Sequence, residues 1–209
     1  MPQKSSLTLK NVSPYNAAIT REQFLFYETR TTAQLVCSGL DKNAVVEKIV
    51  KENLLQYPTE KYLRRMALAC LRRLDALDNH ALVQAIATQS SNVSKQICLY
   101  AMMKQYRIVW DFMIAVIGTK YRNRDMSFGR RDLNAFFLDL QEQDAWVSSW
   151  SDSTVAKMKQ VLAKILMENA YIDSRAAGRL NPVTIYPLLE NAIRDQGNTM
   201  ALPAFNCFA

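Results

Sequence analysis

Along most of the chain, apolar residues recur at intervals of three and four with charged residues between them, the period of helices that bury one face. KYLRRMALACLRRLDAL (61–77) shows it most plainly. At about 100° per residue, Leu63, Met66, Ala67, Cys70, Leu74 and Leu77 gather on one side. Lys61, Arg65 and Arg72 fall within about 40° of one another on the other side, with Arg64 and Arg73 flanking them. Pro58 and Thr59 introduce this stretch, so a helix is predicted over 60–77. The same rules predict a helix near 21–38, opened by a Thr20/Gln23 capping box and stopped by Gly39. Further helices follow at about 42–53 behind Asp41, from Asn79 to Gln89, and from Ser94 to Tyr106. Residues 107–122 continue or closely follow the last of these.

The pattern changes after a polar break at MSFGRR (126–131). Asp132 opens a helix through LNAFFLDLQEQ, and Ser153 or Thr154 caps TVAKMKQVLAKILMENA. YIDS, a turn at 176–178 and RLNPVTI then read as a short β-hairpin, followed by a last helix, YPLLENAIRDQG, and a partly apolar tail. Helix, turn, helix, hairpin is the order of a winged helix, an order that also serves in protein docking. The predicted class is mainly α: a helical bundle over 1–125, and a winged-helix-like part with its hairpin and tail over 126–209. Trp110, Phe112, Phe136, Phe137, Trp146 and Trp150 fall at helical spacing and read as core.

Composition agrees with helices, because 5 Gly and 6 Pro in 209 residues are too few for a turn-rich β architecture. Charge adds a partner. The net charge is +7, which favours polyanions. Residues 1–125 carry 18 Lys and Arg against 10 Asp and Glu, a net of +8, whereas 126–209 carry 8 against 9, a net of −1. By this division the basic excess belongs to the first half. The four cysteines are scattered without a CxxC pair, and the single histidine, His80, leaves too few ligands for a Cys/His zinc site. The longest apolar stretch, IVWDFMIAVIG (108–118), is too short to span a bilayer and contains Asp111. With an N-terminus lacking a signal-peptide core, the chain reads as reduced and cytoplasmic.

Three groups of basic residues are candidate contacts for phosphates. The first is the stripe Lys61, Arg64, Arg65, Arg72 and Arg73, since guanidinium forks match phosphate oxygens. The second is the connector GTKYRNRDMSFGRR (118–131), with Lys120, Arg122, Arg124, Arg130 and Arg131 offset only by Asp125. Tyr121 and Phe128 are interleaved there, where a base or sugar could stack. The third is Lys157 and Lys159 on the predicted recognition helix, which lacks the Arg and Asn/Gln pairs that read base edges apart from Gln160. Each group has an ordinary alternative as solvated surface. No nucleophile elbow, phosphate-binding loop or dinucleotide fingerprint exists, so the chain reads as a non-enzyme without cofactor or metal.

YNAAITREQFLFYETRTTAQLVCSG (15–39), ENLLQYPTEKYLRRM (52–66), WDFMIAVI (110–117) and WSDSTVAKMKQVLAKILMENAYID (150–173) resemble the BrxA family, a small component of BREX (bacteriophage exclusion) systems. The resemblance runs from about residue 15 to residue 196. It implies a mostly helical protein similar to the antitermination factor NusB, and a non-enzymatic role in binding double-stranded DNA. It also implies partners among the system's methyltransferase, ATPase and phosphatase-like subunits. Two other functions remain open: a protein scaffold that docks those subunits, and RNA binding by the NusB analogy. No family motif marks the DNA contacts, so the basic residues above are inferred from charge placement alone.

Overall fold

The structure, a computed structural model, describes residues 12–208. It is mainly helical, and it divides into two compact units, each assembled from separate stretches of chain. The first unit comprises Phe24–Gln105 and Ile185–Gly197. The second comprises Tyr106–Thr184 with the flanking stretches up to residue 23 and from residue 198. The break at 125/126 therefore falls inside the second unit.

The first unit holds α1 (Phe26–Cys37), α2 (Lys42–Lys51), α3 (Glu60–Leu77), α4 (His80–Thr88), α5 (Ser91–Gln105) and, from late in the chain, α11 (Pro187–Asp195). The caps explain why several boundaries match the expectation. Asp41 accepts hydrogen bonds from the Asn43 and Ala44 amides, Thr59 from Tyr62, and Asn79 from Leu82, each satisfying donors that a helix start leaves unpaired. The Thr20/Gln23 capping box does not form. Thr20 lies in a 3₁₀ turn (Ala18–Thr20) and donates to the Ala17 carbonyl, so α1 starts later, after Leu25. Nor does Ser94 cap α5; it is buried inside that helix and donates to the Ala85 and Ile86 carbonyls.

α3 packs against α1, α2 and α5, and α11 lies on α4. Val45, Val46, Ile49, Leu63, Ala67 and Leu71 form a buried cluster between α2 and α3. Of the apolar stripe predicted for 61–77, Leu63 and Ala67 join this cluster together with Leu71, while Met66, Cys70, Leu74 and Leu77 are buried elsewhere along α3.

The second unit begins with α6 (Arg107–Asp111), which passes into a π-helix (Phe112–Gly118) and then α7 (Thr119–Arg122). Gly118 is needed here for space, since a Cβ would lie 3.2 Å from the Ala204 amide nitrogen and 3.3 Å from the Pro203 Cβ. The bare backbone lets the 3₁₀ segment Thr199–Phe205 pack on the π-helix. α8 (Arg130–Gln143), α9 (Ala145–Ser148) and α10 (Asp152–Glu168) follow. At the start of α8 the Gly129 amide donates to Asp132 Oδ2 at 2.7 Å. Ser151, rather than Ser153 or Thr154, caps α10.

The expected β-hairpin after α10 is absent among the described residues. Instead, 170–181 forms a loop tied by side chains. Asn181 donates its amide N–H to the Tyr171 carbonyl and its side-chain amide to the Ala170 carbonyl and Asp173 Oδ1. Pro182, next in line, has no N–H for a ladder. The pairing partner is the connector: Leu180 donates to Met126, Phe128 donates to Gly178, and Ser127 and Arg179 form one antiparallel bridge.

Candidate nucleic-acid interface

The five basic residues of α3 have separate fates, set by neighbouring side chains. Arg73 is buried, at 1% exposure, and its guanidinium donates to the Phe24 carbonyl at 2.7 Å. It is a structural bond in the core of the first unit and is not a phosphate contact. The wheel put it at the edge of the basic stripe, close enough for its stem to turn inward. Arg64 pairs with Glu47 at 2.6 Å, and that bond holds the Glu47 carboxyl below its usual range. Arg65 is half-buried, its guanidinium stacked 4.5 Å from the centroid of Tyr62, with a buried Nε that makes no hydrogen bond among the described residues. Lys42 on α2 also pairs with Asp75 of α3. Lys61, Arg64 and Arg72 are the exposed members of the stripe, and Arg64 carries its Glu47 partner with it.

The connector behaves differently, and Lys120 explains why. Only 13% of its side chain is exposed, and it pairs with both Asp125 at 2.9 Å and Asp132 at 2.8 Å. Burial pushes its ammonium down, and the two carboxylates outweigh that and hold it raised. Asp125 also accepts from the Ser127 hydroxyl and amide; these bonds with Lys120 pull its carboxyl down to about 2. Asp132 accepts from the Gly129 amide as well. Asp125 of the connector and Asp132 at the start of α8 are thus both paired with one lysine and with neighbouring hydrogen-bond donors. Lys120 is thereby an internal counterion, and its expected phosphate contact is replaced by two carboxylates.

Arg122, Arg124, Arg130 and Arg131 are exposed, and none forms an ion pair among the described residues. The bridge between Ser127 and Arg179 brings two further arginines beside them. Arg175 and Arg179 are exposed and likewise without an ion pair among the described residues, and the nearby Asp173 accepts from Asn181. Sequence reasoning missed this pair. Its signal was SRAAGR (174–179), a basic turn between apolar flanks, hidden because the acids elsewhere in 126–209 cancelled its charge.

Tyr121 and Phe128 are not available for stacking. Both are buried, Phe128 edge-on to Phe112 and Tyr121 donating its hydroxyl to the Asn181 carbonyl. They are the apolar anchors that fix the connector's path. On α10, Lys159 donates to Asn134 Oδ1 at 2.8 Å and lies over the Phe137 ring, so it is bound back to α8, while Lys157 is exposed. Charge is also less lopsided than the halves suggested. Among the described residues the first unit carries 12 Lys and Arg against 9 Asp and Glu, and the second 12 against 10. Placement, rather than total, distinguishes the connector.

No group of three or more His, Cys, Asp or Glu among the described residues could hold a metal ion. His80 is exposed at the first position of α4. No helix of the described residues is long and apolar enough to cross a membrane.

Known proteins match most of the chain. A crystal structure of an uncharacterized protein from Magnetospirillum magneticum has the same fold, with a TM-score of 0.78 at 23% identity, covering 92% of this chain and 98% of that one. A BREX protein BrxA of Bacillus cereus (strain H3081.97) is 33% identical over 165 residues, 79% of this chain and 82% of the relative. Another BREX protein BrxA, from Escherichia coli O9:H4 (strain HS), is 28% identical over 170 residues, 81% of this chain and 79% of the relative. The family model described as BrxA matches residues 13–197. By that match and by its curated relatives, the chain belongs to the BrxA family.

Proposed function

We propose that this BrxA-family chain is a non-enzymatic double-stranded DNA-binding component of a BREX phage-defence system, gripping duplex DNA through phosphate contacts with little reading of sequence. One observation carries it: Asp125 and Asp132 pair with Lys120, while six arginines on the joined 122–131 and 175–179 segments stay exposed without ion pairs among the described residues. Exposed guanidinium groups without carboxylate partners bind phosphates by releasing condensed counterions. The order α8, α9, α10 and a loop returning to the residues before α8 supports a winged-helix-like unit whose wing is reduced to one bridge. Lys157 is the one cation predicted on α10 that remains exposed for a groove, which fits weak readout of bases.

Fluorescence anisotropy on two short duplexes of unrelated sequence tests the proposal. The expected result is similar affinity for both, with log K falling against log salt at a slope near −5 for about 5 or 6 neutralised phosphates. Competition with single strands and structured RNA should leave the duplex preferred. Absence of duplex binding at about 50 mM salt would overturn the reading. Co-purification with the methyltransferase or ATPase subunit that survives nuclease treatment would then point to a scaffold instead.

A further inference from the structure

Trp146 and Trp150 were expected in the core, yet both are only half-buried. They wall a cavity of about 520 Å³ in the second unit, between the 16–21 segment and the turn from α9 into α10. A cavity of that size is ample for a small ligand. Among the described residues neither indole makes a ring contact, and neither indole N–H is buried, so the rings meet the cavity without a protein partner. Arg21, the one charged residue lining the cavity, is exposed and forms no ion pair among the described residues; no acid lines the cavity.

The walls are tied in place locally. The Asn16 side chain accepts from the Ala18 amide, the Ser149 hydroxyl donates to the Trp146 carbonyl, and Ser151 accepts from the Thr154 amide. The Ala18–Thr20 turn packs on α10. The site is therefore formed before any ligand arrives.

We propose that this cavity binds a single unstacked nucleotide. The planar base lies against the Trp146 and Trp150 indoles, and its phosphate meets Arg21. Each part of the ligand answers one unused feature of the site. A base supplies a π-face for the indoles. A phosphate supplies the anion that Arg21 lacks, in the forked geometry a guanidinium prefers. This site stands apart from the connector's arginines and does not rest on their role. The nucleotide could be free, or an unpaired residue of a strand; the chemistry is shared.

Intrinsic tryptophan fluorescence of the full chain, excited at the red edge of the indole band, tests it with deoxyadenosine monophosphate, with deoxyadenosine and with a short single-stranded oligonucleotide. The expected result is saturable quenching by the monophosphate, the strand or both, and the arm that saturates identifies the source. Trp150→Ala should weaken binding roughly tenfold or more, with Trp146 still reporting. Trp150→Phe should retain most of it. Arg21→Gln should weaken the phosphate-bearing ligands roughly tenfold and leave deoxyadenosine unchanged. Circular dichroism checks that the variants fold, and calorimetry on the native chain supplies a readout independent of the tryptophans. No quenching and no heat with any of the three ligands would overturn the proposal. So would unchanged affinity in folded Arg21→Gln or folded Trp150→Ala. Because duplex binding is read separately, by anisotropy, loss of one site and loss of the other are distinguishable.

Discussion

α3 and the connector look alike as strings, each a run of arginines with few acids, and the fold treats them in opposite ways. On α3 the basic residues find partners close by: Glu47 of α2 for Arg64, the Tyr62 ring of α3 itself for Arg65, and the carbonyl of Phe24, just before α1, for Arg73. At the connector Asp125 and Asp132 pair with Lys120, and no carboxylate pairs with the surrounding arginines among the described residues. A count of charges does not distinguish the two regions. What distinguishes them is which cations already have an anion within reach.

Arg73 carries the largest expected effect. Arg73→Ala removes a fully buried side chain and leaves the Phe24 carbonyl without this donor, so urea denaturation should show a loss of about 3 kcal/mol. Duplex affinity of the folded protein should be unchanged, and a large loss there would return Arg73 to the interface. Next in size, Arg175→Gln with Arg179→Gln should weaken duplex binding roughly tenfold and reduce the salt slope by about 2. Equal affinity would restrict the interface to the connector itself.

Lys120 gives a sharper and smaller test. Lys120→Met frees two carboxylates beside the arginines, so duplex affinity should fall about threefold even though Lys120 touches no phosphate. Asp125→Asn should move affinity the other way by a similar factor. If Lys120 were instead a contact, its loss would lower the salt slope by about 1, and Asp125→Asn would not compensate.

The smallest effect is in acid. Asp125 has its carboxyl depressed from 3.8 to about 2 by Ser127 and Lys120, so the bonds it makes are present above its ordinary value and are lost as pH falls toward 2. The Ser127 amide resonance should titrate with a midpoint near 2. A midpoint close to 3.8 would mean that these hydrogen bonds do not hold the connector in solution.

These particulars also show how far the sequence could be read. The helix over 60–77 and the starts behind Asp41, Thr59 and Asn79 were legible because capping chemistry and helical period act within a few residues. The inward turn of Arg73 was not, because its acceptor lies 49 positions earlier, at Phe24. The hairpin expectation failed for a related reason. Asn181 and the Leu180–Met126 hydrogen bond tie the 170–181 loop to a distant segment, and alternation of residue types says nothing of that. Phe128 and Tyr121 read as stacking residues because they sit among arginines, and the fold uses them to hold those arginines in place. Half-buried tryptophans at helical spacing are indistinguishable from core tryptophans until the opposing 16–21 segment is placed.

The most direct measurement is a salt series of duplex binding on three proteins: the native chain, a connector variant with Arg122, Arg124, Arg130 and Arg131 each changed to Gln, and an α3 variant with Lys61, Arg64 and Arg72 each changed to Gln. The native slope should be near −5, the connector variant should lose about 3 to 4 from it along with roughly 100-fold in affinity, and the α3 variant should change little. A full native slope in the connector variant, with the loss appearing in the α3 variant instead, would contradict the account.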